Sequence, residues 1–363
     1  MVLCAICKDQ KDRIMYSLFE KLIKPFEEIS YISQSKVFDF LLYQSGGIKK
    51  YIFFIALFST IAAATEVYIF QFLGDIVDSL KDTTSSEFFD ENFNDLLVMT
   101  LILLVILPGA VVLRTLLEYQ ALEINYPLRV LFNLHGFLIK QKVSFFQQEP
   151  SGKIANTLNQ MAFSTSLILV KLVNTFTFLI VFFISMGVLL TTIDSLLLVP
   201  VVIWVLGYIF IVFYFFPKVK IYLEKQAGAM SEMIGKLADT YNNIVTVKIF
   251  SSYKSELHYG STHMGKYMTA AYQHMRIATS VQIVMWTINV LLIFGTFALS
   301  IYLWSKGEIS VGAIAAAVAV SFRLYTMSHW IMWELLDVSR NIGVVQNGIK
   351  FIQASQAALV EGT

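Results

Sequence analysis

Cysteine is nearly absent: of 363 residues, only Cys4 and Cys7 carry a thiol. Two thiols cannot staple a disulfide scaffold. Cys4-Ala-Ile-Cys7 offers two ligands where structural zinc takes four, and no histidine or further cysteine stands nearby. His135, His258, His263, His274 and His329 show no ligand spacing either. Charge is scarce as well. Asp, Glu, Lys and Arg make up 15% of the chain, against about 25% in soluble domains. Apolar residues reach 56% and mean hydropathy is +0.66. So little charge cannot cover a surface that lies wholly in water, which excludes a purely soluble globule. With 27 basic and 26 acidic residues the net charge is +1, so no global field points to nucleic acid. The apolar run 1–7 is too short for a secretion signal and no basic residue precedes it. Proline does not occur after Pro217, which leaves the rest of the chain free of the strongest helix breaker.

What the chain has instead is long apolar runs. A run of about 20 such residues crosses the hydrocarbon core as a helix, and six are visible: 51–74, 96–113, 172–193, 195–216, 277–304 and 309–333. The third and fourth are separated by Asp194 alone and read as a tight hairpin. Lysine and arginine set the orientation. Only Lys81 and Lys306 fall in the connections 75–95 and 305–310, while Arg114, Lys171 and Arg323 border or enter spans. The rest lie before the first span, in 114–171, in 217–276, or after the last span. Both termini are therefore expected in the cytoplasm. The basic connections are long and poor in breakers: Pro127 and Pro150 in one, Pro217 at the start of the other. In 228–260, Met230, Met233, Ile234, Leu237, Tyr241, Ile244 and Val247 recur at helical spacing among polar residues, which predicts one amphipathic helix. Antiparallel arms of this kind would reach roughly 40 Å from the membrane at 1.5 Å per residue. The expected fold is all-α and polytopic: six transmembrane helices with long cytoplasmic extensions.

The order of short motifs on this topology resembles the transmembrane domain of an ATP-binding-cassette exporter half-transporter of the multidrug, lipid and peptide type. Residues 36–44 resemble its amphipathic elbow helix. Phe145-Phe146 with Pro150-Ser151-Gly152 resembles the return after the first arm. Asp239, Asn243 to Lys248, Phe250 and Glu256 resemble the run on the second arm. Gly307 to Gly312 resembles the loop that opens the last span, and Gly343 and Gly348 the paired glycines beyond it. Thr157 and Met161 depart from the arginine and aspartate that many relatives carry there. On this resemblance the chain divides into an N-terminal cytoplasmic extension, 1–35, the six-helix domain, 36–340, and a helix or linker, 341–363, towards an ATPase domain.

No G-x-x-x-x-G-K-[ST] loop is present. Gly152-Lys153 leads into Ile154 without the upstream glycine, and Gly46-Gly47-Ile48-Lys49 has the wrong spacing. Catalytic triads, carboxylate pairs and dinucleotide loops are equally undetectable. No cofactor is expected in this chain, with ATP and magnesium bound by a nucleotide-binding domain that is separate, truncated or lost. The resemblance implies the permease half of an ATP-driven exporter in a bacterial inner membrane, moving hydrophobic or amphipathic substrate by alternating access and paired as a homodimer or heterodimer. A non-transporting scaffold derived from such a permease is the alternative. Coupling segments near 126–133 and 224–233 would seat on the ATPase through Tyr126, Leu128, Arg129 and Phe132, and through Glu224, Gln226, Ala229, Met230 and Glu232.

Charges at bilayer depth are costly, about 2.5–3.5 kcal/mol on insertion scales, and are functional candidates by default. Glu66 lies roughly 22 Å into the first span and Arg323 roughly 20 Å down the last, at 1.5 Å per residue. Both are candidates to face the translocation cavity. A structural pair or a snorkelling side chain is the competing reading. Arg114 and Glu118 read as an i,i+4 pair at the interface. Trp330 and Trp333, with Tyr325 and His329, read as an interfacial belt. The phenylalanines of the third and fourth spans read as lipid-facing or packing residues.

Overall fold

The computed structural model describes residues 16–27, 36–82 and 88–360, and among these no strand occurs. The short helix α1 (Val37–Gln44) is followed by six helices long and apolar enough to span a membrane. They are α2 (Lys49–Asp82), α3 (Phe93–Ile139), α4 (Ser151–Ile193), α5 (Leu198–Asn242), α6 (Tyr253–Ser305) and α7 (Val311–Val360). The chain is thus an integral, multi-pass membrane protein. The last three have 45, 53 and 50 residues, or about 68, 80 and 75 Å at 1.5 Å per residue, more than twice a bilayer core of about 30 Å.

Local chemistry places the breaks. Asp194 is extended and a single 3-10 turn, Ser195–Leu197, returns the chain into α5. Gly47 and Gly307 take positive φ values of 80° and 78° in the turns before α2 and α7, where a side chain would be strained. Pro217 lies inside α5, where its ring removes one backbone donor as the apolar run ends. Three stretches adopt π-helical geometry: Ile102–Ile106 and Leu116–Leu122 within α3, and Leu172–Phe176 within α4. Each extra residue in the turn re-aims the faces that follow.

The expected single helix over 228–260 is not formed. α5 ends at Asn242, a short helix Ile244–Phe250 follows, and α6 begins at Tyr253. The amphipathic spacing ran through this reversal because both flanks carry apolar residues at similar intervals. Periodicity alone does not register a corner.

The described residues pack as two units. The first holds everything up to Asp194, with Trp304–Val320 and the residues from Trp333 onward; the second holds Ser195–Leu303 with Ser321–Met332. In the first unit, Tyr126, Val130, Leu134 and Leu138 form one i,i+4 stripe of α3. They are buried against α1, the start of α2, the start of α4 and the end of α7. Met161 is completely buried there, and a Cβ on Gly348 would stand 2.6 Å from its sulfur, so this glycine is what lets α7 approach α4. In the second unit α5 and α6 run antiparallel over most of their length. Gly295 meets Pro200 and Gly207 meets Ile288 in the apolar part. Farther along, Gln226 meets His274, Glu232 meets Lys266 and Thr240 meets Glu256.

Candidate functional site

The extensions beyond the apolar runs end in two sharp reversals. The first arm, α3 into α4, turns at a six-residue helix, Val143–Gln148. Phe145 is buried there with its ring 5.6 Å from Phe351, while Phe146 stays exposed. Lys153 bonds Glu149 at 2.7 Å across the corner. The second arm, α5 into α6, turns at Ile244–Phe250, none of whose residues is buried. Phe250 is 83% exposed and Tyr253 78%, and Val245 and Ile249 are likewise exposed. Glu256 accepts hydrogen bonds from Thr240 and Ser251 and ties the corner together.

The residues expected to meet an ATPase precede these reversals along their helices. Tyr126 is completely buried in the core of the first unit. Arg129 is 5% exposed, its guanidinium 3.6 Å from Glu27. Phe132 meets Phe26 edge-on at 5.7 Å, and Leu128 is half-buried. All four precede the reversal by two turns or more. Glu224, Gln226, Ala229, Met230 and Glu232 lie three to five turns before the end of α5. Gln226 Oε1 is 2.6 Å from His274 Nδ1, and Glu232 accepts a hydrogen bond from Lys266 at 3.2 Å. These side chains hold α5 to α6, while Glu224 and Met230 remain exposed. The segments 126–133 and 224–233 are thus helical, and the chain reverses at 140–150 and 243–252. Pro127, at the third position of the helix Asn125–Ile139, lies in its first turn and does not break it.

Charged groups near the membrane are gathered differently from expectation. Glu66 and Arg323 are each half-buried, Glu66 in the first unit and Arg323 in the second. A larger ionic group went unnoticed in the sequence. Lys171 on α4 reaches Glu334 at 2.5 Å and Asp337 at 2.9 Å on α7, and Arg340 holds Asp337 at 2.5 Å. Glu334 and Asp337 are an i,i+3 pair on one face of α7 with Lys171 at the border of the third span, and that spacing was the available signal. Glu118 accepts a hydrogen bond from Asn174 at 2.8 Å, and Asn174 in turn accepts one from Ser59 at 2.7 Å. Two of the π-helical stretches carry Glu118 and Asn174, so this chain of bonds joins α2, α3 and α4 where their geometry departs from the α-helix.

The ends of the spans opposite the arms are joined by one carboxylate. Asp78 of α2 accepts hydrogen bonds from the Ser310 hydroxyl and from the Gly312 backbone at 2.8 Å, capping the start of α7. A Cβ on Gly312 would overlap the Gly74 carbonyl oxygen, so the two helices touch backbone to backbone. Beside this junction lies a cavity of about 350 Å³ lined by Gln71, Asp75, Thr192 and Glu308 among others. In the second unit a buried polar chain runs through the apolar zone. Trp204 donates to Asn289 at 2.7 Å, Asn289 donates to Ser328 at 2.7 Å, and the Tyr208 hydroxyl donates to the Ser328 carbonyl at 3.0 Å. Among the described residues no group of three or more His, Cys, Asp or Glu is placed to hold a metal. Cys4 and Cys7 lie outside the described residues.

Residues 52–328 match the family described as the ABC transporter transmembrane region. The chain is 33% identical over 336 residues to an uncharacterized ABC transporter ATP-binding protein of Haemophilus influenzae, covering 92% of this chain and 55% of that protein. Its fold is similar to that of a bacterial Atm1-family ABC exporter solved with ATP bound, with a TM-score of 0.64 at 15% identity. That match covers 84% of this chain and 54% of the solved one. The chain thus spans about half the length of the relatives it matches.

Proposed function

This chain belongs to the family of ABC transporter transmembrane regions, and from that premise we propose that it is the permease half of an ATP-driven exporter whose two arms are levers worked from the cytoplasm. The observation that carries the reading is the second arm: no residue between 220 and 280 is buried. Two helices with half-buried residues between them but no fully buried one have little of the apolar burial that stabilises helices in proteins, and an outside surface would complete their packing. The exposed apolar tip at Val245, Ile249, Phe250 and Tyr253 fits a groove on a nucleotide-binding domain. The helix Val143–Gln148, with Phe146 outward, fits the same role on the first arm. Lysine and arginine concentrate on the arm side, which favours placing the arms in the cytoplasm of a bacterial inner membrane. A second six-helix half, identical or homologous, would complete the pathway.

Alternating access follows from the levers: closure of the ATPase domains on ATP would swing the tips and reverse which side the cavity faces. Hydrophobic or amphipathic compounds suit a pathway walled by apolar spans, and Glu66 and Arg323 would meet their polar parts. The test is ATP-dependent uptake of a hydrophobic fluorescent dye into inverted vesicles holding this chain and its ATPase partner. Replacing Val245 and Phe250 by Asp should abolish both uptake and co-purification of the ATPase while insertion persists. A non-transporting scaffold would keep the partner and move no dye in any form. Glu66→Ala and Arg323→Ala should each alter which dyes are moved; an unchanged range in both removes them from the cavity.

A further inference from the structure

The face of α3 expected to seat an ATPase is occupied by the chain's own N-terminal segment. Asn125, Arg129 and Phe132 recur at i, i+4 and i+7 and so share one side of the helix. Each meets a residue between 20 and 27. Asn125 Nδ2 donates to the Glu20 carbonyl at 2.8 Å, Arg129 pairs with Glu27 at 3.6 Å, and Phe132 meets the Phe26 ring at 5.7 Å. Ile23, between them, is 2% exposed and belongs to the core of the first unit. The same segment is tied to the start of the first span, because the Tyr51 hydroxyl donates to the Leu22 carbonyl at 2.8 Å. These attachments fall where α3 leaves its π-helical stretch and becomes the arm. Residues 16–27 themselves lie upstream of the region 52–328 that matches the family, whereas Asn125, Arg129 and Phe132 lie within it.

We propose that residues 16–27 are a strap that sets the angle at which the first arm leaves the membrane. A helix gripped on one face over two turns, and tied through Leu22 to a neighbouring span, cannot swing at its root without carrying the strap along. The grip is graded along its length. Ile23 is locked by burial, whereas Phe26 is mostly exposed and the Glu27 side chain is 59% exposed opposite an Arg129 side chain that is 6% exposed. An ion pair with one partner in water is weak and screened by salt, so the Phe26–Glu27 end is the part able to release while Ile23 stays seated. Arg129 and Phe132 are positioning residues in this arrangement.

The proposal rests on the first arm acting as a lever, and its test separates the two. In the whole chain in lipid nanodiscs, with Cys4 and Cys7 replaced by serine, spin labels at Ser144→Cys near the arm tip and Leu57→Cys on α2 report the tip position. The unaltered strap should give one narrow distance distribution. Phe26→Ala with Glu27→Gln should widen it, with hydrogen exchange over 123–134 about tenfold faster and helix content unchanged. Phe26→Tyr, which keeps the aromatic edge, should leave it narrow. Ile23→Asp should undock the strap and widen it further. A distribution that stays narrow in the double variant, or in Ile23→Asp once exchange over 16–27 shows the strap released, overturns the strap. A broad distribution in the unaltered chain overturns the lever itself and the strap with it.

Discussion

Two arms built from the same kind of antiparallel helix pair differ in what covers them. The first buries a full stripe, Tyr126, Val130, Leu134 and Leu138, beneath α1, the end of α7 and the segment 16–27. The second has no fully buried residue between 220 and 280, only half-buried ones. One arm has its core completed by the chain itself, and the other leaves that completion to another molecule. An apolar stripe stabilises only when something closes over it. The difference is what the proposed docking of a partner on the second arm rests on.

Truncating one side chain in each arm should give the largest difference. Leu134→Ala removes a fully buried side chain, and its cost should fall at about 2–5 kcal/mol, as for other buried leucines. Tyr241→Ala removes a larger side chain that is 66% exposed, and should shift stability by less than about 0.5 kcal/mol. Unfolding of the isolated chain in a denaturing-detergent titration reads both. Equal costs would mean that the second arm has cover in the chain alone.

The next effect concerns what holds α4 to α7 in the first unit. Lys171→Met leaves Glu334 and Asp337 facing each other without a cation, although Arg340 still reaches Asp337. Removing one partner of a buried pair costs about 3–5 kcal/mol. The Lys171 side chain is a fifth exposed, so about 1–3 kcal/mol is expected after solvent screening. Adding Glu334→Gln and Asp337→Asn should recover part of the loss, since neutral side chains no longer repel. A smaller effect belongs to the second unit. Asn289→Ala breaks the chain from Trp204 to Ser328 and should cost about 1 kcal/mol, because hydrogen bonds between membrane helices average about 0.6 kcal/mol.

The spans and their order were legible because they rest on composition. Runs of apolar residues near the length of a bilayer, split at Asp194 and at Gly307, became helices that break at those residues. The corners of the arms were less legible. Asn243 and Ser251-Ser252 turn the chain without proline or glycine, and the apolar spacing on either side continues unbroken in sequence. The burial of Arg129 was invisible for a different reason: its partner Glu27 lies a hundred residues away, in a segment with no periodicity of its own. The ionic group around Lys171 was likewise long-range, and only its i,i+3 acidic half was local. Met161 shows the reverse case. An odd residue against the family pattern turns out to fill the space opened by Gly348, so the departure exchanges a polar position for packing.

The smallest effect sharpens the comparison most quietly. Lys266 hydrogen-bonds Glu232 on the second arm and, with its charge, holds that carboxyl below the ordinary glutamate range. A group whose folded pKa is depressed stabilises the fold above its unfolded value and loses that contribution as pH falls through the folded one. Glu232 is fully solvent-screened, however, and exposed pairs of this kind contribute almost nothing. Glu232→Gln should therefore leave hydrogen exchange over 224–242 unchanged at neutral pH, and the unaltered arm should show no loosening between pH 7 and 5. If the substitution did loosen the arm, surface ion pairs would be its glue and no partner would be required to explain how two uncovered helices stay together. If it does not, the pair is no part of what holds α5 to α6, which leaves the bonds from Gln226 to His274 and from Thr240 to Glu256, and on the proposed function protection over 220–280 should rise further when the ATPase or a second half is added.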